Sequence, residues 1–281
     1  MANQVVGATT EFQFDLVISE SLIEAGDYLD ITLPSDYGIE FETGSPSCSI
    51  DSMQVSGCTV VSSKRAQIVF GASTSQTFLA GRISNFKNPE SNRAQQNIQI
   101  LIYGSDGLSK TSVYIGTLSS FVVSSVSASL SSSSSVVGDT GETLTVSVTP
   151  STLMLAQGGL VIFFPEYYED ASSNQMISVS NPACSGTDMF VSRCEFNTAF
   201  RQLTLLYALD SGTDTTSTLT FTIGSFQNPV KPGDQSGFVV ITTDELGYSI
   251  GESATLSLSG VTAANTFSYI TFSFDDNGRV G

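Results

Sequence analysis

The residues with the clearest chemistry are four cysteines, which form two equally spaced pairs. Cys48 and Cys58 lie ten positions apart, and Cys184 and Cys194 repeat that spacing in the second half of the chain. This separation suits a disulfide at the base of a hairpin or loop, and the duplication favours two disulfides over four free thiols. We therefore predict Cys48–Cys58 and Cys184–Cys194 bridges, which are typical of an oxidising, extracellular setting. Two cysteines per half without histidine leave too few ligands for zinc.

Carboxylates are the other groups that could do chemistry, because the chain has 27 acidic residues against 10 basic ones and no histidine. A histidine-based triad and a His-ligated zinc or haem site are excluded within this chain. The closest acid pairs are Asp27/Asp30, Asp244/Glu245 and Asp275/Asp276. No phosphate loop, nucleophile elbow or metalloprotease motif accompanies them. We predict that the protein is not an enzyme, and a hydrolase that uses carboxylates alone is the distant alternative.

Calcium is the metal that an acidic extracellular protein could bind through oxygen ligands between domains. The candidate ligands are Asp139 and Glu142, just after the middle of the chain, and Asp275 and Asp276 near its end. No loop of closely alternating aspartates accompanies them, and acids on an acidic surface are usually only solvated. Ca²⁺ is therefore a secondary expectation, and no other cofactor is predicted.

Short antiparallel strands are the elements that must position these residues. Apolar and polar residues alternate in several short runs with turn residues between them, and this period of two is typical of half-buried strands. The hydrophobic fraction is 40 %, with 18 Phe and 9 Tyr, which is enough for packed cores. No convincing amphipathic helix is present, so the fold class is all-β. The alternating runs are Phe12–Ile18, Leu29–Leu33, Leu144–Val148, Leu219–Ile223 and Ile270–Phe274.

Internal repetition indicates the domain organisation. Val5-Val6-Gly7 recurs as Val136-Val137-Gly138, and Ile83–Pro89 recurs as Ile223–Pro229, with the cysteine pairs between them in the same order. The distance between matching segments grows in small steps, as expected when insertions lie in loops. We predict two homologous domains, residues 1–120 and 121–259, each with seven or eight strands. Their size and strand density favour tandem immunoglobulin-like antiparallel β-sandwiches.

The first repeat begins one strand late, and the last residues of the sequence begin a further repeat. Phe121–Ser135 is predicted to be the first strand of the second domain, whereas only four residues precede Val5. Residues 260–281 then contain a run with the phase of the first strand of a further repeat. The chain is either a piece of a longer tandem array, or this last strand completes the first domain of a neighbouring molecule. An ordinary extension packed on the second domain is the third alternative. The residues assigned to assembly are Phe267, Tyr269, Ile270, Phe272 and Phe274.

Composition also restricts the partners. The net charge is −17, and the 10 Lys and Arg side chains are too few to bind a phosphate backbone, so no nucleic acid is expected. No run of about 18 apolar residues is present, so no membrane-spanning helix is predicted. The Ser/Thr-rich runs Ser131–Ser135 and Thr213–Thr218 could accept O-linked glycan, although solvent-facing strands and loops have the same composition. The expected main partner is another copy or repeat of the same kind, joined head to tail.

One recurring phrase carries a family resemblance. It consists of Ile-x-x-Phe-x-Asn-Pro, then an extended strand such as Phe238–Thr243, then a glycine, and it covers residues 83–107 and 223–247. The phrase resembles tandem repeats in very large extracellular surface proteins of ciliates and related protists. That resemblance implies a repetitive scaffold, such as a glycocalyx, a ciliary or flagellar hair, or an adhesive filament. It implies no active site.

These observations predict a structural subunit or segment of an extracellular filament, surface hair or cell coat. Assembly would proceed through strand completion and end-to-end packing. The main alternative is a cell-surface adhesin that holds a glycan or protein at one end of a sandwich. A convergent cluster of exposed tyrosines would favour that alternative, and the candidates are Tyr37, Tyr167 and Tyr168.

Overall fold

A computed structural model describes residues 4–18, 22–35, 38–111, 113–118, 121–165, 182–187, 189, 193–209 and 215–263. Throughout these ranges the chain forms β-strands, turns and irregular segments, and none of these residues is helical. The fold is all-β with several antiparallel sheets, as the alternating pattern predicts. Within the same ranges, no helix has the length and apolar character needed to cross a bilayer.

The first unit, residues 4–118, contains two antiparallel sheets. One sheet follows the order β1–β7–β3, with β4 also paired to β7, and the other follows β5–β6–β2–β8–β9. Their strands are β1 (Thr9–Val17), β2 (Tyr28–Thr32), β3 (Glu40–Phe41), β4 (Cys48–Ile50), β5 (Val55–Ser62), β6 (Arg65–Phe70), β7 (Phe78–Lys87), β8 (Gln95–Tyr103) and β9 (Tyr114–Leu118).

The second unit, residues 121–263, contains one continuous sheet of ten strands. Its order is β13–β16–β11–β10–β18–β17–β12–β15–β14, with β19 also paired to β17. Every pairing is antiparallel except that of β10 with β18. The strands are β10 (Ser124–Ser132), β11 (Glu142–Pro150), β12 (Gly159–Phe163), β13 (Cys184–Thr187), β14 (Arg193–Asn197), β15 (Gln202–Leu206), β16 (Leu219–Phe226), β17 (Gln235–Thr243), β18 (Ser249–Ser253) and β19 (Leu256–Leu258).

Two separate hydrophobic cores lie inside these units. The core of the first unit extends from Phe12 to Ile102 along the sequence, and that of the second from Val126 to Val261. In β1 and β11 every second side chain is buried, because successive residues of a strand face opposite sides of the sheet. The alternation in the sequence therefore corresponds to the inner faces of the two cores.

The two units repeat the same ladder of strands. β1 pairs with β7 with a register shift between Thr10 and Phe12, and β11 pairs with β16 with a shift between Glu142 and Leu144. In the same way β2 lies between β6 and β8, and β12 lies between β15 and β17. The described ranges contain nine strands in the first unit and ten in the second, more than the seven or eight expected. The excess arises from pieces of two to four residues, such as β3, β4 and β19, which are too short to show an alternating pattern.

Candidate assembly site

Strand β10 is the element that the second unit has and the first unit lacks among the described residues. It pairs antiparallel with β11 and parallel with β18, and so joins the two halves of the sheet. Its alternating pattern turns Val126 into the core, where the side chain is 6 % exposed, and packs Ala128 and Leu130 against the same core. β10 therefore closes one lateral edge of the second unit.

A disulfide closes the opposite edge of each unit. Cys184 and Cys194 lie on β13 and β14, the two ends of the strand order, with Cα atoms 6.0 Å apart. Cys48 on β4 and Cys58 on β5 belong to different sheets of the first unit, and their Cα atoms are 5.7 Å apart.

The structure thus contains both disulfides, but their role differs from the one expected. We expected each bridge to hold the base of a hairpin or loop. In the first unit the ten-residue segment crosses from one sheet to the other, so the bridge joins the two sheets. Loop-closure entropy for a segment of this length is worth about 2–3 kcal/mol.

In the first unit no described strand takes the position of β10. Among the described strands, β1 pairs with β7 alone and β9 pairs with β8 alone. A groove of about 370 Å³ separates them, and we call it the β1–β9 groove. It is lined by Phe12–Val17 of β1, by Ile98 and Ile100 of β8, and by Tyr114–Leu118 of β9.

Side-chain exposure reflects this difference between the two edges. Phe14 and Leu16 on β1 are 7 % and 5 % exposed, whereas their counterparts Val146 and Val148 are fully buried. The counterparts follow from matching registers, since Phe14 lies opposite Gly81 and Val146 lies opposite Phe221. All four side chains are buried, and the two on β1 are slightly more exposed than their counterparts on β11.

The larger aromatic residue on β1 does not replace the missing strand. A Cβ atom added to Gly81 would lie 2.2 Å from Cζ of Phe14, so the phenyl ring covers the position opposite it on β7. In the second unit the sizes are exchanged, because the smaller Val146 faces the larger Phe221. Phe14 thus fills space inside the sheet and leaves the β1–β9 groove open.

The Asn-Pro phrase has a structural role in both units. Asn228 is buried, and its side-chain amide donates to the carbonyl oxygens of Ser134 and Val136, each at 2.8 Å. Asn88 is also buried and donates to the carbonyl oxygen of Val5 at 2.8 Å. These bonds hold the Val-Val-Gly turn that begins each unit. In the second unit, the hydroxyl of Ser132 on β10 also donates to Asn228 Oδ1 at 2.7 Å.

The buried acid Asp27 is part of an ion pair. Its carboxylate accepts bonds from the backbone amides of Glu24 and Ser105 and from the Lys110 ammonium at 2.7 Å. Burial alone would raise the pKa of Asp27, but the amide bonds and Lys110 outweigh it, so this pKa lies below its usual value. A carboxylate held ionised in this way is not arranged as a general acid.

Asp30 is the second buried acid of the first unit. The Arg65 guanidinium donates to both of its oxygens, with the shortest distance 2.6 Å, and Gln67 donates at 2.8 Å. This contact raises the pKa of Arg65. Asp27 and Asp30 therefore stabilise the first unit with partners that are distant in sequence.

The remaining described acid candidates lie in connections between strands or, for Glu142, at the first residue of β11. Asp139 accepts a hydrogen bond from the Ser134 hydroxyl at 2.5 Å, and Glu142 accepts one from Ser133. Asp244 accepts amide bonds within its own turn, at 2.9 Å from Leu246. The described residues contain no group of three or more acids or cysteines that could hold a metal ion.

Several predicted site residues lie outside the described residues. They include the calcium candidates Asp275 and Asp276 and the tyrosines Tyr37, Tyr167 and Tyr168. All five assembly residues, Phe267, Tyr269, Ile270, Phe272 and Phe274, also lie there. The structure instead contains the β1–β9 groove, which sequence reasoning missed. The available signal in the sequence was that only four residues precede Val5, too few to match Phe121–Ser135.

No protein-family model matches this chain, and no curated protein sequence matches it either.

Proposed function

We propose that this protein is a structural segment of an extracellular filament, surface hair or cell coat built head to tail from β-sandwich repeats. The observation that carries the proposal is that the segment leaving the first unit becomes β10 of the second. Consecutive units therefore share a backbone path that is itself part of a sheet. Such a connection is stiffer than a Gly- or Ser-rich tether and suits a rod.

Direct contacts between the two units support the same interpretation. The backbone amide of Asn92 donates to the carbonyl oxygen of Ser249 at 2.8 Å, and Asn92 Oδ1 accepts from the Ser249 amide at 3.0 Å. Next to this pair, the Arg93 guanidinium lies 5.3 Å from the ring centroid of Tyr248. These contacts join the β7–β8 connection of the first unit to the start of β18, so they restrict bending at the junction.

Charge and compartment fit a surface scaffold. Two disulfides are compatible with an extracellular protein. A net charge of −17 keeps parallel rods apart at low ionic strength, and salt or divalent cations would allow them to bundle. The likeness of the Asn-Pro phrase to repeats of protist surface proteins points in the same direction.

Immunoelectron microscopy with antibodies against the purified chain tests the location on the cells that produce it. We expect label at regular intervals along hairs, filaments or a surface coat. Label confined to the cell interior would contradict the proposal. Strong, saturable binding to one class of glycan, without labelled fibres, would favour an adhesin instead.

Small-angle X-ray scattering of the purified chain tests the stiffness of the junction separately. We expect a single extended particle, and the double variant Asn92→Ala/Arg93→Ala should broaden its distance distribution. The matched control is Lys231→Ala in the corresponding connection of the second unit, which should leave the distribution unchanged. If the unsubstituted chain already scatters as two units that move independently, the rod model fails.

A further inference from the structure

We propose that the β1–β9 groove is the receiving site for residues 264–274 of a second copy of this chain, which enters as a strand antiparallel to β1. This inference rests on the proposed head-to-tail function and names its partner, orientation and register. The carrying observation is that in the second unit β10 pairs with β11, the counterpart of β1, and contacts β19, the counterpart of β9.

The chain follows the same course where it leaves each unit. Val122 forms a parallel bridge with Val5 at the start of the first unit, and the chain enters β10 two residues later. Thr262 forms the matching parallel bridge with Val136 at the start of the second unit. By sequence position, residues 264–272 therefore follow the second unit as β10 follows the first. In the proposed assembly they take the first strand position of a following unit.

This equivalence predicts which residues of the incoming strand face the core. Val122 and Thr262 are 140 positions apart, so Leu130 corresponds to Ile270 and Ser132 corresponds to Phe272. Leu130 lies opposite Val146, whose counterpart on β1 is Phe14. Ile270 of the second copy is thus placed over Phe14.

Phe272 of the second copy is placed over Phe12 by the same register, because Ser132 lies opposite Leu144 and Leu144 matches Phe12. Ile270 and Phe272 would pack beside Phe14 and Phe12, and cross-strand aromatic pairs are favourable in antiparallel ladders.

The chemistry of the two surfaces is compatible. Residues 264–274 have the sequence ANTFSYITFSF, which contains no charge and no proline, so every residue can donate to a ladder. Tyr269 falls opposite Asp15, which is exposed and points away from the core.

Disulfide trapping between two variants, each with one added cysteine beside the four native ones, tests both the partner and the register. Asp15→Cys and Tyr269→Cys chains are co-expressed, and also mixed after purification, then oxidised and separated on non-reducing gels. Residues directly opposite in an antiparallel pair have Cβ atoms about 4.5–5.5 Å apart. We therefore expect a cross-linked species of twice the 29.7 kDa chain mass, with the bridge located by peptide mass spectrometry.

The matched control pairs Asp15→Cys with Ser273→Cys, which lies four positions out of register on the same side of the strand. We expect about a tenfold lower yield from it, since a four-residue displacement adds roughly 13 Å. Each variant should retain the thermal stability of the parent chain, because both positions face away from the core in the proposed register. The chain that carries Asp15→Cys and Tyr269→Cys together should give a ladder of oligomers.

Three results would overturn the proposal. The first is equal yield in and out of register, and the second is a bridge formed only within single doubly substituted chains. The third is absence of any cross-link while a synthetic peptide of residues 121–135, but not its scrambled control, binds the purified chain. That third result would assign the groove to a strand from another repeat in a longer polypeptide. Surface labelling of cells is independent of all three, so failure here leaves the filament proposal to its own test.

Discussion

The two units of this protein share one ladder of strands but close it differently. The second unit is closed on one edge by β10 and on the other by the Cys184–Cys194 bridge. The first unit has the Cys48–Cys58 bridge on one edge and the β1–β9 groove on the other. The comparison shows that two units with the same ladder of strands can differ at one edge, where the second unit has β10 and the first has the β1–β9 groove.

The units also differ in how they stabilise the start of their central strands. The first unit buries Asp27 and Asp30 in ion pairs with Lys110 and Arg65. The corresponding segment of the second unit, Gly158–Val161, has neither acid and is mostly buried without charge. A buried ion pair and an apolar replacement can be equally stabilising, so the fold tolerates both. Their responses to pH, however, must differ.

Val126→Asp should produce the largest effect, because it places an unpaired charge against the core of the second unit. We expect a loss of about 3–5 kcal/mol in the free energy of unfolding of that unit. Calorimetry should show its transition lowered while that of the first unit stays in place. Ser127→Asp, on the outward face of the same strand, should change stability by less than about 0.5 kcal/mol. Equal losses from both variants would mean that β10 does not close the core.

Removal of one disulfide at a time compares the two edges directly. Cys48→Ala/Cys58→Ala and Cys184→Ala/Cys194→Ala should each cost about 2–3 kcal/mol in the unit that carries the bridge. In the first unit, whose opposite edge is open, we also expect faster amide hydrogen exchange along β4 and β5. If exchange instead rises equally at the matching strands of both units, the open edge has no effect on local stability.

Gly81→Ala should destabilise the first unit by about 1–3 kcal/mol through overpacking against Phe14. The double variant Gly81→Ala/Phe14→Val should recover much of that loss, since it moves the pair toward the Val146 and Phe221 arrangement. Thermal unfolding of the four chains in the cycle measures the coupling. Additive losses would show that Phe14 does not cover Gly81.

Acid should affect the first unit before the second, with the smallest effect of the series. The pKa of Asp27 is lowered in the folded state, so its stabilisation is present above its unfolded value near 3.8 and is lost as pH falls through the folded pKa. Asp27→Asn should flatten this part of the pH profile of the first unit. Calorimetric scans between pH 2 and pH 5 check this, and a profile unchanged by the substitution would contradict it.

Much of this architecture could be predicted from the chain alone. Alternation at Phe12–Ile18 and Leu144–Val148 predicts β1 and β11, and the repeated cysteine spacing predicts pairs that the structure contains as disulfides. The groove could be predicted only in part. The alternating run Ile270–Phe274, which we propose enters the groove, can be recognised in the sequence. The lining of the groove by Ile98, Ile100 and β9 cannot, because it depends on which strands become neighbours.

Alternation and repetition are local properties, because each side chain's face follows from its own position in a strand. They are therefore sufficient to determine an all-β chain made of two similar halves. The parallel pairing of β10 with β18 and the contact between Asp27 and Lys110 join residues from 83 to more than 120 positions apart. Only the tertiary structure decides these, because contacts over such separations depend on how whole sheets pack and not on any short pattern.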